Sequence, residues 1–560
     1  MPKQGYSEVI LNDFLLNAGV IGFLRTCILA EKNGEDCRKG RDYLIDGQSL
    51  YISNDFLLRE DIGGLFVRAM VETFGPETKY MRILAQKRLL DKLYESPKPE
   101  DKEWRKKADE VYKTFIDMME KNSFKSGYVI LAKCKDVTAP TEAMLQTLKS
   151  EKDYQQKKKR YDELQKILVQ PRVREILTFK DILYSLINMF YADNKGNGVA
   201  FLSKREIEPA EAFNADFMEP LRAELTQKPE KDTMTCISCG AEVDGKNAIS
   251  ITKFVDSADD LGKKKSYYWN NVPDAYLCPV CAMICAMAPL GFTYFGDDGL
   301  FVNNNSDVNT LLAFSNLVVE GKTEDKPDRW YTLCNVITSD EMKYLQKRAD
   351  NIQVVARSRS DAKYHLNTID RRTIGVLKES SKDLEYLKSR FVKDGKDHYI
   401  NVYQSAVENV VLYRNQYPLI THILRATAAE ETQKVGYLFH ILLIQIRQKG
   451  GNKVSENVKR AYVAKLEGEK LRAKVTEGLV EHDKDNKLRG LVYQMLNAVS
   501  LGNRDKFMEL VLRTYSGYNL PVPDIFFACF SSDDDFKETG FAFLLGMKSD
   551  GFKKEGDNEK

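Results

Sequence analysis

Two Cys-x-x-Cys pairs, Cys236/Cys239 and Cys278/Cys281, constrain this chain more than any other feature. Each lies in a knuckle-like context, Cys236-Ile237-Ser238-Cys239-Gly240 and Cys278-Pro279-Val280-Cys281. The glycine after Cys239 permits the tight turn that aims backbone amides at sulfur. Two such knuckles supply four thiolates, the tetrahedral set that a structural zinc ion prefers. Four protein ligands leave no open position for water, so the spacing predicts a structural rather than a catalytic ion. Cys285, one helical turn beyond Cys281, is a competing ligand, and a reduced thiol cluster without metal is the alternative. The loop between the pairs is longer than in compact zinc ribbons, so the pattern indicates metal without naming a finger class. Cys27, Cys37, Cys134, Cys334 and Cys529 are scattered and read as core or surface thiols.

This reading presumes a reducing compartment, where clustered cysteines serve as ligands more often than as disulfides. The apolar stretch from Val9 to Ala30 is interrupted by Asn12, Asp13, Asn17 and Arg25 and reads as a buried helix, not a signal segment. Val435 to Ile446 is too short to span a bilayer. A cytoplasmic chain without a membrane role is expected. The 560 residues include 43% hydrophobic and 30% charged, enough for several domains with cores of their own. The net charge of +2 argues against coating nucleic acid by bulk charge, so local basic clusters would have to do it.

The expected fold class is α+β: a mixed N-terminal domain (1–234) with an inserted four-cysteine zinc module and hairpin (235–305), a basic helical connection (306–398), a C-terminal helical bundle (399–550) and a charged tail (551–560). Leu50 to Ile52 predicts a strand, and Leu65 to Phe74 a helix stopped by Gly75-Pro76. Tyr128 to Ala132 fits strand or buried helix equally. Thr141 to Leu168 reads as one long exposed helix, its Lys157-Lys158-Lys159-Arg160 run as a solvated face.

Candidate nucleic-acid contacts fall in three places. Lys263, Lys264, Lys265, Tyr268 and Trp269 interleave phosphate-neutralising cations with rings that can stack on bases; packing of those rings on the metal module is an equal reading. Asn303, Asn304 and Asn305 close a strand–turn–strand pattern with Asp298-Gly299 as the turn, and asparagine amides bond base edges as readily as they occupy plain turns. Arg357 and Arg359 head a basic stretch whose acidic neighbours make a salt-bridged surface a serious competitor.

No Walker-type phosphate loop and no Gly-x-Ser-x-Gly elbow occur. His482-Asp483 matches a dipeptide of metal phosphohydrolases but lies in a polar stretch that reads as a loop. The expectation is therefore a protein that is not an enzyme.

Asn17-Ala18-Gly19-Val20-Ile21-Gly22-Phe23-Leu24-Arg25, the cysteine knuckles followed by Pro289-Leu290-Gly291-Phe292 and Phe301-Val302-Asn303-Asn304-Asn305, and Tyr518 to Phe526 together resemble the large subunit of type I-B CRISPR Cascade, Cst subtype. The resemblance implies antiviral defence within a guide-RNA-containing complex. Such a subunit examines double-stranded target DNA for a flanking motif, assists duplex opening and supports recruitment of a separate helicase-nuclease. A standalone zinc-stabilised nucleic-acid-binding protein and a purely structural assembly subunit are the alternatives.

Overall fold

Asp13 accepts from the backbone N–H of Leu15 and Leu16 at 2.8 and 3.0 Å, capping the apolar stretch that follows. That stretch is the helix Phe14–Lys32 (α1), and every residue from Leu15 to Leu24 is buried. In the computed structural model, residues 3–192, 199, 206–227, 233–254, 275–296, 298–322, 329–339, 352–358, 363–395, 398–426, 435–451, 453–479 and 481–548 are described. The chain divides into two compact units: residues 1–320 with 353–366, and residues 321–352 with 367–560.

In the first unit, α1 is the central core helix. By length and composition it would pass for a membrane span, but most of it is buried against its own unit, as expected for a helix apolar on nearly every side. Tyr6–Ile10 (β1), Tyr43–Asp46 (β2) and Ser49–Ser53 (β3) form an antiparallel sheet in the order β1-β3-β2. Helices Asn54–Arg59 (α2) and Ile62–Phe74 (α3) follow, and α3 gives way to a short 3-10 turn at Gly75-Pro76, as the sequence predicts.

Six helices then build a lobe: Lys79–Tyr94 (α4), Lys102–Met119 (α5), Asn122–Leu131 (α6), Glu142–Ser150 (α7), Tyr154–Leu168 (α8) and Pro171–Ile182 (α9). The lobe has a hydrophobic core of its own, from Tyr80 to Leu177, in which Tyr112, Phe115 and Tyr161 pack edge to face. Tyr128 to Leu131 is thus helical. The expected long helix from Thr141 is two helices, because Asp153 caps a new start at Gln155 and Gln156. Three of the four cations in the 157–160 run are tied in ion pairs: Lys157 to Asp109, Lys158 to Asp91 and Asp162, and Arg160 to Glu151.

A second sheet has the order β11-β10-β9-β8, from Thr293–Phe295 (β8), Asp298–Asn303 (β9), Ile352–Ser358 (β10) and Tyr364–Ile369 (β11). Phe295 pairs with Asp298, so Gly296, at φ 63°, stands in the hairpin turn. The hairpin is therefore where the sequence places it, but its turn lies two residues earlier; Asp298 and Gly299 are already in β9. Strands β10 and β11 also break the expected helical character of 306–398. Only short helices such as Arg371–Glu379 and Ser381–Leu387 remain in its second half.

The second unit is mainly helical. Val454–Val475 and Asp533–Met547 pack backbone to backbone: a Cβ on Gly468 would lie 2.2 Å from the Phe543 carbonyl oxygen, and one on Gly546 2.0 Å from that of Lys465. The apolar run ending at Ile446 forms the buried helix Leu438–Lys449. His482 and Asp483 fall within the helix Glu481–Ser500 and not in a loop.

Candidate metal centre

Backbone geometry alone brings the two cysteine knuckles together. Strands Thr233–Thr235 (β4) and Glu242–Asp244 (β5) pair antiparallel and project the first knuckle as their connection. Within it the Gly240 N–H donates to the Cys236 carbonyl and the Cys236 N–H to the Ala241 carbonyl, both at 2.9 Å. Gly240 has φ 72°, a left-handed conformation in which a side chain would be strained. Strand Tyr276–Leu277 (β7), paired with Ile249–Ser250 (β6), carries the second knuckle. The Ile237 N–H donates to the Tyr276 carbonyl at 2.9 Å, tying one knuckle to the other.

Cys278 caps the helix Pro279–Ala286 (α10), its sulfur accepting from the Cys281 N–H at 3.4 Å, with Pro279 in the first helical position. The sulfurs of Cys236, Cys239, Cys278 and Cys281 all lie within 4.8 Å of one another. Cys239 Sγ and Cys278 Sγ are 3.7 Å apart. A tetrahedral ion with metal–sulfur bonds of about 2.3 Å sets its ligands about 3.8 Å apart, so this set fits an ion, whereas a disulfide needs about 2.05 Å. All ten cysteines are free. Without a cation the thiols must share protons: hydrogen bonds with Cys239, Cys278 and Cys281 hold Cys236 far below its ordinary value, while proximity to Cys236 and Cys239 pushes Cys278 and Cys281 up. A dication resolves that conflict by stabilising all four as thiolates. The cluster can thus hold a metal ion. Cys285 is buried and is not part of it.

The four-cysteine segment is seated on the core helix. α10 and the turn after it pack on α1 at three glycines: a Cβ on Gly19 would lie 2.1 Å from the Ile284 carbonyl oxygen, one on Gly22 2.0 Å from that of Met287, and one on Gly291 2.1 Å from that of Ala18. The carbonyls at the end of this segment are met by side chains: Tyr191 Oη donates to Ala286, Tyr294 Oη to Pro289 at 3.0 Å and Arg25 Nη1 to Leu290 at 2.7 Å. Arg25 also donates to Ser315 Oγ at 2.7 Å, and burial lowers its guanidinium to about 10.

Two of the three expected base-reading asparagines face inward. Asn303 and Asn304 are each 5% exposed; only Asn305 is at the surface. Asn17 Nδ2 donates to Asn303 Oδ1 at 2.8 Å and to Asn305 Oδ1 at 2.5 Å, and Asn303 Nδ2 donates to Gln353 Oε1 at 2.9 Å. Asn304 Oδ1 accepts from the Ser306 N–H at 2.7 Å. Asn12 extends this network to the metal centre, its N–H donating to Asn17 Oδ1 at 2.9 Å and its Nδ2 to the Ser238 carbonyl at 3.0 Å. Arg357 is likewise interior. Its side chain is fully buried, lies 4.2 Å from the centroid of the Tyr364 ring and donates to the Met189 carbonyl. The surface role expected of Arg357 is corrected accordingly: no phosphate can approach it while the unit is folded. Lys263, Lys264, Lys265, Tyr268, Trp269 and Arg359 lie outside the described residues. The asparagine network and the Arg25 contacts escaped the sequence reading, since no local pattern marks a polar side chain whose partner is hundreds of residues away.

A four-cysteine site closed by its own protein ligands, built into the core of a mainly helical α+β chain, defines the class. Residues 230–293, which contain all four cysteines, match the family model described as CRISPR-associated protein (Cas_CXXC_CXXC). The match shows a CRISPR-associated protein. No curated protein and no solved structure matches the chain.

Proposed function

We propose that this chain is the large subunit of a type I-B CRISPR Cascade complex, of the Cst subtype, and that its four cysteines hold a structural zinc ion. The observation that carries the reading is the coincidence of the four-sulfur cluster with the CRISPR-associated segment 230–293. In this role the chain is not itself an enzyme. It recognises the motif flanking a double-stranded DNA target, assists duplex opening, and supports recruitment of a helicase-nuclease while guide RNA reads the sequence. Cys236, Cys239, Cys278 and Cys281 would hold the zinc, which when bound supplies a rigid cross-link and no chemistry. The remaining residues position that cross-link: Gly19 and Gly22 admit α10 onto α1, and Asn12 fixes the first knuckle.

Co-purification with a tagged neighbouring subunit, followed by sequencing of bound RNA, tests the assignment. Guide RNA in a stoichiometric complex supports it; a chain that recovers neither RNA nor partner subunits refutes it. The inward placement of Asn303, Asn304 and Arg357 favours a second reading for that segment, a purely structural assembly subunit. Loss of motif discrimination on exchanging exposed Asn305 alone would decide against that second reading.

A further inference from the structure

Charge is distributed unevenly along the chain. Residues 79–177, the helical lobe with its own core, hold 24 Lys and Arg against 16 Asp and Glu. The lobe is thus +8 in a chain whose total is only +2. The acids of the lobe are largely spent on partners or caps: Asp91 and Asp162 on Lys158, Asp109 on Lys157, Glu142 on Lys125, and Asp101 and Asp153 at helix starts.

Part of that excess stands on one face of α4. On α4, Arg82, Arg88 and Lys92 are exposed, as are Met81, Ala85 and Leu89. Met81, Ala85, Arg88 and Lys92 follow at spacings of four and three on one side of the helix, and Arg82, six residues from Arg88, flanks them about 120° round from it. The only acid within α4, Asp91, points to Lys158 at 2.8 Å. Among the described residues no carboxylate pairs with Arg82, Arg88 or Lys92. The neighbouring helix α5 differs, since its outer positions alternate in sign: Glu103, Lys106, Glu110, Lys113, Asp117.

We infer that the outer face of α4 is a docking surface for the phosphate backbone of double-stranded DNA; the inference rests on the proposed function and locates a contact surface for it. Three long cations, spread over about 15 Å of helix with exposed Glu95 as the acid at its C-terminal end, complement a rigid polyanion whose charges recur every few ångströms. The face carries no exposed aromatic ring, and α4's own tyrosines, Tyr80 and Tyr94, turn inward to bond the Leu168 carbonyl and Tyr112. Single strands are held chiefly by such rings, so the duplex is the better fit. Contacts of this kind fix position and carry no sequence information. They would operate on any duplex, apart from the reading of a flanking motif.

The test compares the full chain with Arg82→Gln/Arg88→Gln/Lys92→Gln for binding to a random-sequence 30-base-pair DNA duplex across a salt series. A Lys106→Gln/Lys113→Gln variant on α5 serves as the control for general charge loss. Each lost phosphate contact lowers the slope of log affinity against log salt by about 0.9, so the triple variant should be shallower by about 2.7 and at least tenfold weaker at low salt. The control should change far less, and bound metal and circular dichroism should match the parent in both. Equal loss in triple variant and control overturns the inference, as does unchanged binding by the triple variant. A variant that keeps duplex binding but no longer co-purifies with a neighbouring subunit also overturns it, making the face a protein interface. Preference of the parent for duplex RNA over duplex DNA overturns it too. If the parent binds no duplex, alone or in its complex, the functional reading fails along with it.

Discussion

The Cα of Gly19 packs so closely on the carbonyl of Ile284 that a Cβ there would lie 2.1 Å from the oxygen. Gly22 stands in the same relation to Met287, at 2.0 Å. The segment that supplies two of the four sulfurs is thereby pressed backbone to backbone onto the core helix. Gly19→Ala must move a main-chain atom and not a side-chain tip. We expect a loss of about 1–3 kcal/mol or more, the range for overpacked cores, with weaker metal retention because α10 shifts. Chemical denaturation and metal content measured on the same variant check both; wild-type values for both would remove the coupling between core and centre.

Cys236→Ser/Cys239→Ser should release the metal and unfold the segment around the knuckles, since zinc binding by such sets is worth about 10–16 kcal/mol in isolated peptides. Cys285→Ser should keep one ion per chain, because that buried thiol lies outside the cluster. Elemental analysis of both proteins decides: undiminished zinc in the double variant refutes the site.

Asn17 is fully buried and bonds Asn12, Asn303 and Asn305. Asn17→Ala leaves several buried groups without partners, each at about 1–3 kcal/mol. Asn303→Ala should also destabilise the isolated chain, and the double variant should fall short of the sum, as contacting residues do. Additive losses, or a neutral Asn303→Ala, would show that the network is not a structural unit.

Asp383, 6% exposed, meets His440 Nδ1 at 2.6 Å and Arg447 Nη1 at 2.5 Å. Burial alone would raise its carboxyl, but the hydrogen bond with His440 and the charge of Arg447 outweigh burial and hold it below the ordinary 3.8. For a depressed carboxylate the stabilisation is present above 3.8 and is lost as pH falls through the lower folded value. Asp383→Asn should therefore cost about 3–5 kcal/mol near neutrality, and the gap to the parent should close only in strong acid. A gap already closed at pH 5 in urea titrations would contradict this.

Much of the local architecture was legible beforehand. The strand around Leu50 to Ile52, the helix ending at Gly75-Pro76 and the core helix through Asn17 to Arg25 follow from periodicity and punctuation within a dozen residues. The errors share a cause. Asp153 restarts a helix inside one continuous charged run, and Phe295 pairs with Asp298 where a later Asp-Gly looked like the turn. In each case the deciding feature is local: the side-chain cap at Asp153 and the left-handed Gly296 that takes the turn.

The four-sulfur centre was fixed by sequence alone, because thiolate chemistry and two-residue spacing nearly dictate a ligand set wherever the pairs meet. Tertiary structure alone decided what surrounds it: Asn303, Asn304 and Arg357 are internal struts, and Arg82, Arg88 and Lys92 on α4 are exposed. A polar residue's identity sets what it can bond. Whether that bond is to water, to a partner molecule or to Asn17 depends on which distant segment packs against it, and short-range pattern holds no record of that choice.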